Sequence, residues 1–173
     1  VYSFSFWRFV DIFVYFSHHR VTIPPKQWIQ AAHTNGVRCL GTFITEWQEG
    51  RSELEKMLAS ETAVRECASR LAKLCEVCNF DGWLVNIEHD VSPCLLPALL
   101  TFLAVLTRET HKAVPGSLVI WYDSVSSVTG RLEWQSQCNA HNLPFLEVCD
   151  GLFTDYHWKS DGPAKSAAAL AHQ

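Results

Sequence analysis

Charge is scarce in this chain. Only 18% of its 173 residues are Asp, Glu, Lys or Arg, and the formal net charge is −4. No block of Lys and Arg occurs, which argues against nucleic acid or an anionic membrane as a partner. No run of about 18 uninterrupted apolar residues occurs either, so no transmembrane helix is expected. The opening VYSFSFWRFV lacks a charged start followed by a long apolar segment and does not read as a secretory signal. Neither GxGxxG nor a GxxxxGK phosphate loop is present, which counts against nucleotide chemistry. A GxSxG nucleophile elbow is missing too. Cys75-x-x-Cys78 stands alone, without a second CxxC or an HxxxH, and lies in an apolar helical pattern that favours buried thiols. His18 and His19 are adjacent at a strand end and diverge, so they make an awkward metal pair. No metal and no cofactor is assigned.

What the chain has is apolar and aromatic. Nearly half of it is hydrophobic, enough for one domain with a sizeable core. Seven Trp are many for this length, and each needs a partner for its indole N–H if buried. They fit either a Trp-rich core or a cleft that stacks on the flat faces of sugar rings. Seven Cys, an odd number without scaffold spacing, fit reduced thiols in a cytosolic protein.

Along the chain, strand-like and helix-like stretches alternate. Strands are predicted over 9–17, 37–47, 81–88, 117–123 and 151–158. Helices are predicted over 23–36, over 51–79 as one or two, over 95–113, over 131–142, and from Lys165 onward. Such a β-α repeat is expected for a parallel sheet with crossover helices. Two architectures compete, a doubly wound sheet and a (β/α)8 TIM barrel. Polar and aromatic residues close every strand, as SHH, TEW, NIEHD, WYDS and DYHW. Chemistry collected at many strand ends favours the barrel. The α/β fold expected over 1–173 is therefore a partial TIM barrel of about five β-α units. An N-terminal strand, the last strands and any accessory domains would be missing. An open arc of this kind leaves two unpaired edges and should be poorly stable alone.

The stretch FDGWLVNIEHD carries the chemistry. Side chains alternate along a strand, so Leu84, Asn86 and Glu88 share one face while Trp83, Val85 and Ile87 share the apolar other. Asn86 and Glu88 then stand about 7 Å apart, one above the other at the barrel mouth. A carboxyl rooted there is placed for proton transfer. The plainer alternative is a buried salt bridge at Glu88 and a strand-capping Asn86. Glycosidases with two carboxylates need a second acid, and here the partner is an amide. An amide can hold a substrate's 2-acetamido group, whose own oxygen then attacks the anomeric carbon.

The segments FVYFSHHRVTIPP, GTFITEWQEG, FDGWLVNIE, IWYDSV and CDGLFTDYHW, in this order, closely resemble the catalytic barrel of eukaryotic cytosolic endo-β-N-acetylglucosaminidases, glycoside hydrolase family 85. The resemblance covers the chain to about residue 160. It implies hydrolysis of the β-1,4 bond in the N,N′-diacetylchitobiose core of N-linked glycans, by a substrate-assisted retaining route through an oxazoline, with transglycosylation in many members. N-linked glycans, free oligosaccharides or glycopeptides would be the partners, in the cytosol. Glu88 would be the general acid/base, Asn86 would hold the acetamide, and Tyr122 would contact it from the next strand. Trp47, Trp134 and Trp158 would line the aromatic cleft, and His18 or His19 would hydrogen-bond sugar hydroxyls. NIEH and TDY depart from the family's usual NIEN and TNY at His89 and Asp155. A chitinase-like family 18 strand, roughly DGxDxDxE, is a more distant match that retains only Glu88. A carbohydrate-binding barrel fragment without catalysis is the alternative from another class.

Overall fold

A computed structural model describes residues 4–171. Six strands and six α-helices follow one another: β1 Ile12–Val14, β2 Val21–Thr22, α1 Lys26–Thr34, β3 Arg38–Glu46, α2 Trp47–Leu58, α3 Glu61–Cys78, β4 Gly82–Glu88, α4 Leu96–Ala113, β5 Leu118–Tyr122, α5 Leu143–Val148, β6 Gly151–Phe153 and α6 Gly162–Ala171. The final two residues expected in the last helix, like residues 1–3 of the domain read over 1–173, lie outside the described residues.

Five strands run parallel in the order β1-β3-β4-β5-β6. Spatial order follows chain order, with no reversal. A doubly wound sheet has a switch point where that order reverses, so this topology is an arc of barrel. β2, too short to stand out in the sequence, pairs antiparallel with β3.

Local chemistry sets the helix ends. Pro24 and Pro25 enter α1, and Asn35 and Gly36 close it, Gly36 at a φ of 72°. Ser60 Oγ caps α3 by accepting the Ala63 N–H at 3.2 Å, and Asn79 ends it in the left-handed region. The long apolar stretch 51–79 is thus two helices.

The outer faces of the strands build the core against these helices. Trp83, Val85 and Ile87 are wholly buried, as the alternation predicts. Trp83 packs edge-on against Phe80 and donates its indole N–H to the Leu71 carbonyl of α3. Trp121 stacks on Phe145 of α5 at 4.3 Å. Burying one such ring stabilises by roughly 3 kcal/mol. α4 is long and apolar enough to cross a membrane by length and composition. Here Leu99, Phe102, Leu103 and Leu106 bury its apolar face in this core.

A repeated latch fixes the register at the strand starts. Asp81 donates its N–H to the Cys39 carbonyl at 2.8 Å, while its Oδ2 accepts the Cys39 N–H at 2.7 Å. Asp150 does the same with Val119, at 2.8 and 2.7 Å. A histidine from the helix that leads into the neighbouring strand bonds each carboxylate, His33 of α1 on Asp81 and His111 of α4 on Asp150. A glycine follows each aspartate. At Gly82, with φ 128°, a Cβ would stand 1.8 Å from the Leu118 carbonyl oxygen, so no other residue fits.

Three expectations are corrected. The first strand is only Ile12–Val14, preceded by a 3-10 turn at Trp7–Phe9. The fifth ends at Phe153, and 154–158 leave the sheet. Residues 131–142 form an irregular loop instead of a helix. Asp123 is the reason: its Oδ2 captures the N–H groups of Gln135 and Ser136, and Ser136 adopts a φ of 58°. Backbone donors committed to that carboxylate are lost to a helix.

Candidate active site

The inner faces of β1, β4, β5 and β6 surround a cavity of about 500 Å³. β4 supplies Leu84, Asn86 and Glu88, the face the alternation assigns to the barrel interior. Tyr122 stands on the β5 side, Phe153 and Tyr156 close the β6 side, and Val14, Phe16 and His18 close the β1 side.

Asn86 and Glu88 touch each other. Asn86 Nδ2 donates to Glu88 Oε2 at 3.0 Å. The carboxylate fixes which end of the amide faces it, and Asn86 Oδ1 is then buried without a partner. An unpaired acceptor in a nearly closed position costs about 1–3 kcal/mol, so a ligand donor has something to gain there. Glu88 also occupies the register position opposite Glu46 of β3.

The strands around Glu88 are tied together on both sides. Ser124 Oγ donates to the Ile87 carbonyl at 2.8 Å, joining the ends of β5 and β4. His89 Nε2 meets Thr45 Oγ1 at 2.9 Å, joining β4 to β3, and its Nδ1 meets the Asp90 carbonyl at 3.0 Å. Those partners suit the neutral Nδ1–H imidazole. Burial lowers the His89 pKa and holds the ring in that form.

Tyr122 stays a neutral phenol. Burial raises its pKa first, and the nearby Glu88 charge adds to that. The Trp134 side chain lies close enough to the phenol to work the other way and lower that pKa. A neutral phenol keeps its proton and can donate it. Trp134 arrives from the irregular loop, held by Asp123 through Gln135, Ser136 and the Asn142 Nδ2 bond at 2.9 Å. Burial raises the Asp123 carboxyl above its usual value despite these bonds. Burial also works to raise Asp155, but its hydrogen bonds, one from His157 Nδ1 at 2.8 Å, hold it below.

Of the sequence candidates, Glu88, Asn86, Tyr122 and His18 share the cavity, and Trp134 reaches it through Tyr122. His19 does not line it; that residue sits in an exposed turn, its N–H on Ser17 Oγ. Trp158 lines a separate small cavity with Ser136 and Thr154. Trp47, 72% exposed, stands at the start of α2 with a φ of 53°. Sequence reasoning missed Phe16, Glu46, Asp123 and Tyr156. Glu46 carried a signal: it closes its strand as Glu88 closes the next.

An arc of parallel strands with an acid and an amide at its carboxyl rim is the architecture of barrel glycosidases, and solved structures agree on the fold. The glycoside hydrolase domain of Endo-D from Streptococcus pneumoniae R6 superposes with a TM-score of 0.81 at 19% identity, covering 98% of this chain and 28% of that one. A chitinase from Bacteroides thetaiotaomicron superposes at 0.67 with 16% identity, covering 98% and 56%. Residues 1–173 match the family model for Glycosyl hydrolase family 85, and the chain belongs to that family. It is 53% identical over 161 residues to the cytosolic endo-beta-N-acetylglucosaminidase of Gallus gallus, covering 92% of this chain and 22% of that protein. Against cytosolic endo-beta-N-acetylglucosaminidase 1 of Arabidopsis thaliana it is 48% identical, covering 93% and 24%. The chain thus spans less than a quarter of the length of these curated relatives.

Proposed function

We propose that this chain carries the acid/base and acetamide-binding wall of an endo-β-N-acetylglucosaminidase. The substrate would be the N,N′-diacetylchitobiose core of N-linked glycans, on glycopeptides or as free oligosaccharides, cleaved at its β-1,4 bond. The observation that carries this reading is the Asn86–Glu88 pair in the cavity, with an unpartnered amide oxygen.

The groups divide the work between them. Glu88 gives a proton to the glycosidic oxygen as the C1–O bond breaks. The acetamide oxygen of the same sugar attacks C1 and forms a cyclic oxazolinium. Positive charge develops on the acetamide nitrogen, and Asn86 Oδ1 accepts that N–H. Tyr122 donates its phenol proton to the acetamide oxygen and holds it on line with C1. Glu88, now a carboxylate, takes a proton from water as water opens the ring. The anomeric configuration is retained, and a sugar hydroxyl in place of water gives transglycosylation. The relatives' names and the free state of all seven cysteines support a cytosolic location.

Release of glycan from a high-mannose glycopeptide tests the reading. Glu88→Gln lowers the rate about a thousandfold. Binding without release in the parent protein, unaltered by Glu88→Gln, would mean a lectin and overturn it.

A further inference from the structure

The β1 side of the cavity holds a polar pair that the proposed chemistry does not use. His18 lines the cavity, and its ring is otherwise well exposed. Glu46 lies beneath it, with a side chain only 9% exposed. His18 Nδ1 is 3.0 Å from both Glu46 carboxylate oxygens. A carboxylate accepts, so Nδ1 carries the proton and Nε2 is the atom left to meet a ligand. Phe16 meets the same ring edge-on, with centroids 5.2 Å apart. An exposed imidazole is thus held by a carboxylate and by an aromatic edge.

The backbone around Glu46 tells the same story. Glu46 and Glu88 are register partners at the ends of β3 and β4, so their side chains leave the same face of adjacent strands about 5 Å apart. Trp47, the next residue, has a φ of 53°, a conformation a bulky side chain rarely adopts. Its own side chain is largely exposed, so packing does not repay that cost. Strain without local return gathers at functional corners.

We propose that Glu46 is a positioning residue that fixes His18 in one tautomer, Nδ1–H toward the protein and Nε2 toward the cavity, where Nε2 accepts a hydrogen bond from a sugar hydroxyl of the bound glycan. This deepens the endoglycosidase reading and rests on it for the identity of the ligand. The pair adds binding on the side of the cavity opposite Tyr122. It moves no proton in the bond-breaking step, so its effect falls on KM.

Two measurements on the full chain test it. In nitrogen-15 spectra the His18 ring shows a protonated Nδ1 and a bare Nε2 in the parent, and Glu46→Gln converts this to a mixture of tautomers. Glycopeptide kinetics give a KM raised about tenfold in His18→Ala and in Glu46→Gln, with kcat little changed and no further loss in the double variant. Glu46→Asp, which withdraws the carboxylate by one methylene, shows the same rise if Glu46→Gln folds poorly. An unchanged tautomer ratio in Glu46→Gln, or losses that add in the double variant, overturns the proposal. The spectra read out whether or not the protein cleaves glycans. Failure of the pair is therefore distinguishable from failure of the endoglycosidase reading, which Glu88→Gln tests.

Discussion

Each polar side chain in this cavity is defined by what it lacks as much as by what it touches. Asn86 gives its N–H to Glu88 and keeps a bare oxygen, and Tyr122 stays protonated because burial raises its pKa first and the Glu88 charge adds to that. In the proposed reaction that acceptor and that donor meet the substrate's acetamide, which has one group of each kind. Tyr122→Phe removes that donor. Initial rates on glycopeptide should show kcat lowered about a hundredfold with KM little changed; an unaltered kcat would place the phenol outside the reaction. At this scale the sequence was most legible where a strand's alternation fixes direction, as at Asn86 and Glu88. It was least legible where a residue acts through a neighbour. Nothing in WYDS marks Asp123 as the anchor of a distant loop, because its partners come from residues 135, 136 and 142.

Elements hold these groups still. β4 is bound to β5 by Ser124 and to β3 by His89, on either side of Glu88. The His89 tie depends on pH. Burial holds its folded pKa below the free value of about 6.5, so the opened state takes up a proton first as pH falls. The contribution is intact above about 6.5 and is lost progressively below it. Amides beside Thr45 and His89 should lose hydrogen-exchange protection between pH 7.5 and 5.5, beyond the intrinsic rate change, and His89→Asn should lack that extra loss. Equal loss in both proteins would assign the effect elsewhere. Asp123→Ala frees the 124–142 loop, and limited proteolysis there should run about tenfold faster, from the loss of hydrogen bonds to a buried carboxylate. The long strands and helices could be read from pattern because their apolar faces are wide. β2 could not, being two residues, nor could the irregular loop, whose apolar residues imitate a helix until Asp123 claims its donors.

As a whole molecule the chain is an arc with an open concave face. Ile12, Phe16 and Phe153 are each more than a third exposed, and the strand edges at β1 and β6 have no further partner among the described residues. A second inward cavity, about 480 Å³, runs along Leu118, Ile120 and Phe153. Apolar surface and free edges of this kind promote association. The isolated 173-residue chain should bind a hydrophobic dye, scatter light on concentration and unfold without a sharp transition; a monomer with a sharp, reversible melt would refute this. Strand order decides the architecture at this scale, and it lay beyond the sequence pattern, since a β-α repeat fits either winding. Strand-end chemistry pointed to the barrel because ligands gather at carboxyl rims.

The central claim is that the substrate's acetamide attacks while Asn86 steadies it. Asn86→Ala, assayed side by side on an intact glycopeptide and on a pre-formed sugar oxazoline, tests it most directly. The account predicts that glycopeptide cleavage falls about a hundredfold or more while the oxazoline is still consumed, because the amide acts before that intermediate exists. Equal loss with both donors would contradict it.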